Sequence, residues 1–206
     1  GMGGQNCLSI PIFLRFVDKS NILLMKTRRK GMIDINPGKR FENSFKASVP
    51  NYMFFHRIAD PPQSFGQDSS KLRFSPKNPF DCFLFTSGTL MCLELKSTEN
   101  GGLTFWREDF EGKSFNIKKH QIEGLKKASL VKGVIAGFVI NFRKTNNTYF
   151  LHINDFITMT TNLTKKSINE NDVASNGGLI IESEIKKVNY KYNIQKFVED
   201  VQQKYN

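Results

Sequence analysis

Thiols are scarce in this chain. Cys7, Cys82 and Cys92 are its only cysteines, and no two form a C-x-x-C pair, which argues against a cysteine-built zinc site. Free, mostly buried thiols in a reducing cytosol are the expectation. Histidines are few, and His120 has no partner histidine at ligand spacing. No Ser/His/Asp or Cys/His arrangement stands out, and no G-x-x-x-x-G-K loop is present to cradle a phosphate. No apolar run approaches the roughly 18 residues that span a membrane. The patchy stretch from Leu8 to Met25 is interrupted by Arg15, Asp18 and Lys19, so it makes a poor signal peptide. Gly1 ahead of Met2 reads as an expression remnant, with Met25 or Met32 as candidate alternative starts. Acidic side chains are also short: 19 Asp+Glu stand against 30 Lys+Arg, a net charge of +11. That excess points to a polyanionic partner. The lysines are spread along the chain and are not gathered in one amphipathic helix, which favours nucleic acid over an anionic membrane surface. A cytoplasmic protein is expected.

At 206 residues the chain is long enough for one mid-sized domain with a real core. Residues 1–37 lack a clear period and end near a basic cluster, Lys26 to Lys30, so they read as an arm ahead of a single domain over 38–206. "GKRFENSFKASVP" carries Phe41 and Phe45 four apart and predicts a short helix ending at Pro50. "YMFFHRIA" is a strand candidate, and Ala59 to Asn78, rich in Pro, Ser and Gly, is mostly loop. "NIKKHQIEGLKKASLV" predicts a helix with Ile117, Ile122, Leu125 and Leu130 on its apolar side. "GVIAGFVINFRK" and "TYFLHINDF" are two more strands, and "IQKFVEDVQQKY" is a last helix. This order predicts an α/β fold, a central mixed β-sheet flanked by helices.

The stretch "FDCFLFTSGTLMCLELKS", Phe80 to Ser97, reads as two apolar strands around a Ser-Gly turn. With Ser87-Gly88 as a two-residue turn, Thr86 pairs with Thr89 and, counting outward, Cys82 with Leu93. Asp81 then lands opposite Glu94, and like charges in that position repel. Glu94 and Lys96 are two apart and share a face. Two carboxylates that must coexist call for a proton or a cation between them. Hard oxygen ligands without histidine or thiolate suit Mg²⁺, with Mn²⁺ as a substitute. Lys96 beside such a metal would steady charge on a phosphate oxygen. The alternative is an ordinary salt bridge between Lys96 and a carboxylate at a frayed hairpin end.

Pro79-Phe80-Asp81 followed by Glu94-Leu95-Lys96 resembles the PD-(D/E)XK nuclease signature. The surrounding features are an upstream "GKRFENSF", the pair His120-Gln121, "GVIAGFVINF", "TYFLHINDF", "KKSI", "NGGLI" and "VNYKYNIQKFVEDV". Together they resemble the RecU family of Holliday junction resolvases, over roughly Gly38 to Gln202. The resemblance implies a restriction-endonuclease-like core and a Mg²⁺-dependent homodimer cutting four-way DNA junctions in recombination and repair. A strand-exchange recombinase is a further implied partner. Asp81, Glu94 and the Leu95 carbonyl would hold the metal, and Lys96 would be the catalytic lysine. Glu42 would be a further acidic member of the site, and Gln121 matches the glutamine of the family's "HQ". Arg40, Arg73, Lys77, Lys118 and Lys119 are candidate DNA-backbone contacts. Two departures stand out. The segment from Ala59 to Asn78, where the family carries a protruding stalk, looks short, and Asn100 to Glu111 looks inserted.

Other readings stay open beside these. Glu42 is also readable as a solvated helix carboxylate, Gln121 as a surface residue and the lysines of the 118–127 helix as a solvated face. Trp106 with Arg107 would either stack on an exposed base or pack under a loop. The enzyme could instead act on other branched or duplex DNA, or the fold could bind DNA without cutting it.

Overall fold

The computed structural model describes residues 36–59, 77–110, 114–187 and 189–205. The arm expected over 1–37 therefore lies, up to residue 35, outside the described residues, as do Cys7, Lys71, Arg73 and most of the shortened stalk segment.

Helix α1, Pro37–Ser48, begins where the sequence supplies both a cap and a preset backbone angle. The Asn36 side chain accepts a hydrogen bond from the Gly38 N–H at 2.9 Å, and Pro37 occupies the first turn, where its missing N–H leaves nothing unpaired. It ends at Val49, which turns extended ahead of Pro50. Phe41 and Phe45 supply its buried face.

Six strands form the main sheet, in the order β1 (Phe54–Arg57), β2 (Cys82–Thr86), β3 (Thr89–Thr98), β5 (Val134–Phe142), β6 (Asn147–His152) and β8 (Leu179–Ile180). Only the β3–β5 pair is parallel; the other neighbours are antiparallel. A parallel pair needs a long crossover, and helix α2, Lys119–Ser129, lies within it. Two small ribbons accompany the sheet: β4 (Gly102–Thr104) with β7 (Ser167–Asn169), and β9 (Ser183–Lys186) with β10 (Asn189–Tyr192). Helices α3 (Ile153–Asn162), α4 (Glu170–Ser175) and α5 (Ile194–Tyr205) complete the described chain. The mixed sheet flanked by helices is the predicted α/β class.

Alternation along β3 divides the core. Met91, Leu93 and Leu95 pack with Phe41 and Phe45 of α1 and with Phe197 and Val201 of α5. Cys92, one residue out of phase, joins Leu125 of α2 and Phe156 of α3. Each face of the sheet thus has its own helical layer. Cys82 and Cys92 are both free and buried, as expected.

The structure departs from the sequence reading at three places. Helix α2 starts at Lys119, so Ile117 lies before it, buried and bridged to Phe105, and Leu130 past its end is exposed. "TYFLHINDF" is not one strand: His152 ends β6 and caps α3, its Nδ1 accepting the Asn154 N–H at 3.2 Å. Within the stretch that looks inserted, Gly102–Thr104 forms a regular strand, β4, which pairs with β7.

Candidate active site

The hairpin register is the one the turn demanded: Thr86 faces Thr89 and Cys82 faces Leu93. Ser87 and Gly88 both have positive φ, 49° and 77°, the geometry whose twist matches that of the flanking strands. Regular pairing stops at Cys82, however, and Asp81 does not form the next ladder pair with Glu94. Its N–H donates to the Leu93 carbonyl at 3.1 Å, the residue that Cys82 already faces, so the chain slips by one. The Asp81 carboxylate then takes the place of a backbone acceptor: its Oδ2 receives the Leu95 N–H at 2.8 Å. The Asp81 carbonyl accepts the Ile58 N–H at 2.8 Å, fixing the residue from its other side.

Glu94 is 2% exposed. Its Oε1 accepts from Lys96 Nζ at 2.8 Å and from the Gln121 side-chain amide. Gln121 also accepts the Lys118 N–H at 2.9 Å, so one side chain caps the start of α2 and orients Glu94. This removes the surface reading of Gln121, which is buried. Burial pushes the Glu94 carboxyl up to about 7; Lys96 opposes that shift, while the Asp81 and Glu42 charges add to it. Asp81 is raised as well, by burial first, against the Leu95 N–H and Lys96, with Glu42 again adding. Glu42 therefore belongs electrostatically to this site. It is held from two sides, its Oε2 accepting from Lys39 Nζ and from Arg57 Nε, each at 3.0 Å.

A model of the RecU family, Recombination protein U, matches residues 73–196, more than half of the chain. The chain belongs to the RecU family. The SPbeta prophage-derived uncharacterized protein YotM of Bacillus subtilis strain 168 is 34% identical over 175 residues, which cover 78% of this chain and 84% of YotM. Among solved structures, the chain is similar to Archaeoglobus fulgidus Hjc, a Holliday junction resolvase from an archaeal hyperthermophile. The overlap covers 68% of this chain and 93% of Hjc, with 17% identity and a TM-score of 0.41. The segment matched to RecU contains Asp81, Glu94, Lys96 and Gln121 but not Glu42.

In this RecU chain the candidate metal ligands are all oxygens. An extended residue points its N–H and C=O to the same side, so the Leu95 carbonyl faces the Asp81 edge, as its N–H does. Among the described residues no three His, Cys, Asp or Glu side chains are gathered to hold a metal alone. Two carboxylates and a carbonyl leave positions for water and phosphate, which is how Mg²⁺ is usually bound. Both carboxyl pKa values are raised, chiefly by burial, so two negative charges here are costly without a proton or a cation to offset them.

The basic candidates divide. Burial lowers the His120 pKa, and the charges of Lys77, Lys118 and Lys96 lower it further against Glu123, so these lysines act on one imidazole. Lys119 turns away: its ammonium lies 4.6 Å over the Trp106 ring and 3.8 Å from Glu123. Arg40 lines a separate cavity with Arg143. Arg73 lies outside the described residues. Arg107 is committed to structure and not to a base. It donates to the Leu163 carbonyl at 2.7 Å and to Asp109, and its guanidinium sits 3.9 Å over Phe110.

Two residues escaped the sequence reading. Arg57, in register with Cys82, carries the link from Glu42 to the hairpin; an arginine ending a short aromatic strand was the available signal. Gly124 lies one turn after Gln121, where a Cβ would sit 2.4 Å from the Pro79 Cβ and 2.8 Å from its carbonyl oxygen. An isolated glycine in a helical pattern often marks such a close approach. Gly124→Ala is expected to destabilise the protein by about 1–3 kcal/mol, outweighing the roughly 1 kcal/mol gained in helix propensity. A lowered midpoint in urea unfolding checks this; an unchanged or higher one would show that α2 moves aside freely.

Proposed function

We propose that this RecU-family protein is a divalent-metal-dependent endonuclease that resolves four-way DNA junctions. The observation that carries the reading is the end of one hairpin, where a buried and a part-buried carboxylate, a strand carbonyl and an ammonium come together. Asp81, Glu94 and the Leu95 carbonyl would hold Mg²⁺, with Mn²⁺ as substitute. The ion would supply an activated water and neutralise charge on the scissile phosphate. Lys96 holds a positive charge 2.8 Å from Glu94, within reach of a phosphate oxygen beside that carboxylate. Gln121 keeps Glu94 in one orientation, and Arg57 and Lys39 hold Glu42 next to the pair. Lys77 and Lys118, whose charges act on His120, would grip the backbone without reading bases.

Two symmetric cuts require two sites, hence a homodimer, and sedimentation should show one with junction DNA present. A strand-exchange recombinase and a cytoplasmic setting go with this role. Among the described residues no helix is long and apolar enough to cross a membrane.

The test uses a labelled four-way junction and a matched linear duplex, each with and without Mg²⁺. Paired cuts in the junction that need Mg²⁺ are expected, and binding that weakens steeply with salt. Equal cutting of both DNAs would make the protein a nuclease of broader substrate. Binding with no cutting in either Mg²⁺ or Mn²⁺ would leave a DNA-binding protein.

A further inference from the structure

On the other side of β3 lies a cavity of about 220 Å³ that the proposed chemistry does not use. Arg40, Phe41 and Ser44 of α1 line it, with Arg143 and Asn146 from the end of β5 and the turn after it, and Tyr190 of β10. Its position relative to the carboxylates follows from two alternations. Lys96 and Ser97 are consecutive on β3 and face opposite sides. Lys96 meets Glu94, whereas Ser97 Oγ receives Arg143 Nη1 at 2.9 Å. On α1, Arg40 and Glu42 are two apart, about 200° around the helix. Glu42 faces Arg57, and Arg40 faces the cavity. The cavity and the carboxylates therefore sit back to back at one end of β3.

The lining has a definite chemistry. No aspartate or glutamate contributes to it. Arg40 is exposed and makes no ion pair among the described residues. Asn146 uses its side-chain oxygen to accept from the Tyr190 hydroxyl, which leaves its amide N–H groups as donors. Tyr190 adds an aromatic ring, whereas Phe41 is buried against Tyr192 and Phe45. Donors, a guanidinium and an aromatic ring together suit a nucleotide: the base lies against the ring and the phosphate meets the arginine.

We propose that this cavity holds one unpaired nucleotide of the bound DNA, across the end of β3 from the strand held at Asp81 and Glu94. The proposal rests on the nuclease reading above and deepens it by naming what makes a branch recognisable. A base inside continuous duplex has both faces stacked and cannot offer one to Tyr190. A base at a branch point is cheaper to turn out, so filling the cavity selects branched over linear DNA.

The test is made in chelator, where nothing is cut, with the full chain. Junctions carry 2-aminopurine singly at each position flanking the branch, and a linear duplex carries the same label. The variants are Arg40→Ala, at an exposed helix position, and Asn146→Gly, which relieves a φ of +62° and so should not harm folding. One branch position is expected to change fluorescence on binding, with no response in duplex. Each variant should lose that signal and weaken junction binding roughly fivefold or more, the lower end for one stacked base, with duplex binding shifted far less. The proposal is overturned if no position responds, or if the variants weaken both DNAs equally, which would make Arg40 a general phosphate contact. Free deoxyadenosine monophosphate is the remaining arm. Binding of it that Arg40→Ala removes, with a silent junction, would make the cavity a site for free nucleotide. A protein that fails to cut the junction in Mg²⁺ fails the nuclease reading alone, since the fluorescence readout needs no cleavage.

Discussion

Asp81→Asn is expected to lower junction cleavage by roughly a thousandfold or more while leaving the protein at least as stable as before. The loss follows from removing one of two carboxylates that would hold the cation. The retained stability follows from local structure. An asparagine side-chain oxygen can accept the Leu95 N–H as the Asp81 carboxylate does, so the end of the ladder stays closed. The ionised form of Asp81 is the disfavoured one in the folded state, because burial and the Glu42 charge outweigh Leu95 and Lys96. A neutral isostere relieves that. Lys96→Met makes the contrast. It should also abolish cleavage, but it leaves the buried Glu94 carboxylate without its ammonium and should lower stability at pH 8. Cleavage rates in saturating Mg²⁺, measured beside thermal midpoints, separate the two. An Asp81→Asn protein cutting within tenfold of the parent would remove Asp81 from the chemistry.

The hairpin was legible in the sequence for a physical reason. A strand of period two with a two-residue turn leaves one register, and the register fixes which side chains share a face. Glu94 and Lys96 had to meet once β3 was a strand, and they do, at 2.8 Å. The slip at Asp81 was not legible, because it depends on Ile58 and Leu93 gripping the same residue from two neighbouring strands. The outcome still serves the site: the carboxylate aims at the Leu95 N–H and not at the solvent side of a ladder.

The rest was hidden by short elements and long-range contacts. "HINDF" carries strand-like apolar residues, but His152 turns its side chain to cap the next helix, and the chain leaves the sheet there. Strand β8 has two residues and β7 three, too few for any period to show. The link from Glu42 to the carboxylate pair runs through Arg57, fifteen positions away, and depends on β1 taking the sheet edge beside β2. Gln121 looked like surface on its helix because its burial comes from Glu94, on another element. Site residues within one hairpin were readable; those contributed across layers waited on the packing.

The pH dependence of stability should single out Glu94. Its carboxyl is raised from 4.5 to about 7, chiefly by burial. Between those values the folded protein holds a proton that the unfolded chain has released. Stability must therefore fall as pH rises through this window and level off above about 7. The shift amounts to something on the order of 3 kcal/mol, or a drop of roughly 6–12 °C in thermal midpoint for a chain of this length. Glu94→Gln removes the titration while its side-chain oxygen can still accept from Lys96 and Gln121. The variant should match the parent near pH 4.5 and be more stable at pH 8. His120 and His152, both lowered by burial, titrate with the opposite sign in both proteins, so they largely cancel in the difference curve, which reports Glu94 together with the Asp81 charge coupled to it. Mg²⁺ added at pH 8 should raise the parent midpoint and leave the variant nearly unchanged, since a ligand stabilises only through the state that binds it. Parallel pH curves would mean that Glu94 stays ionised throughout, with Lys96 alone sufficient to hold the charge. A Mg²⁺ response equal in both proteins would place the cation elsewhere. The two readouts answer separate questions, whether the pair carries strain and whether a cation relieves it, and a metal site at this hairpin requires both.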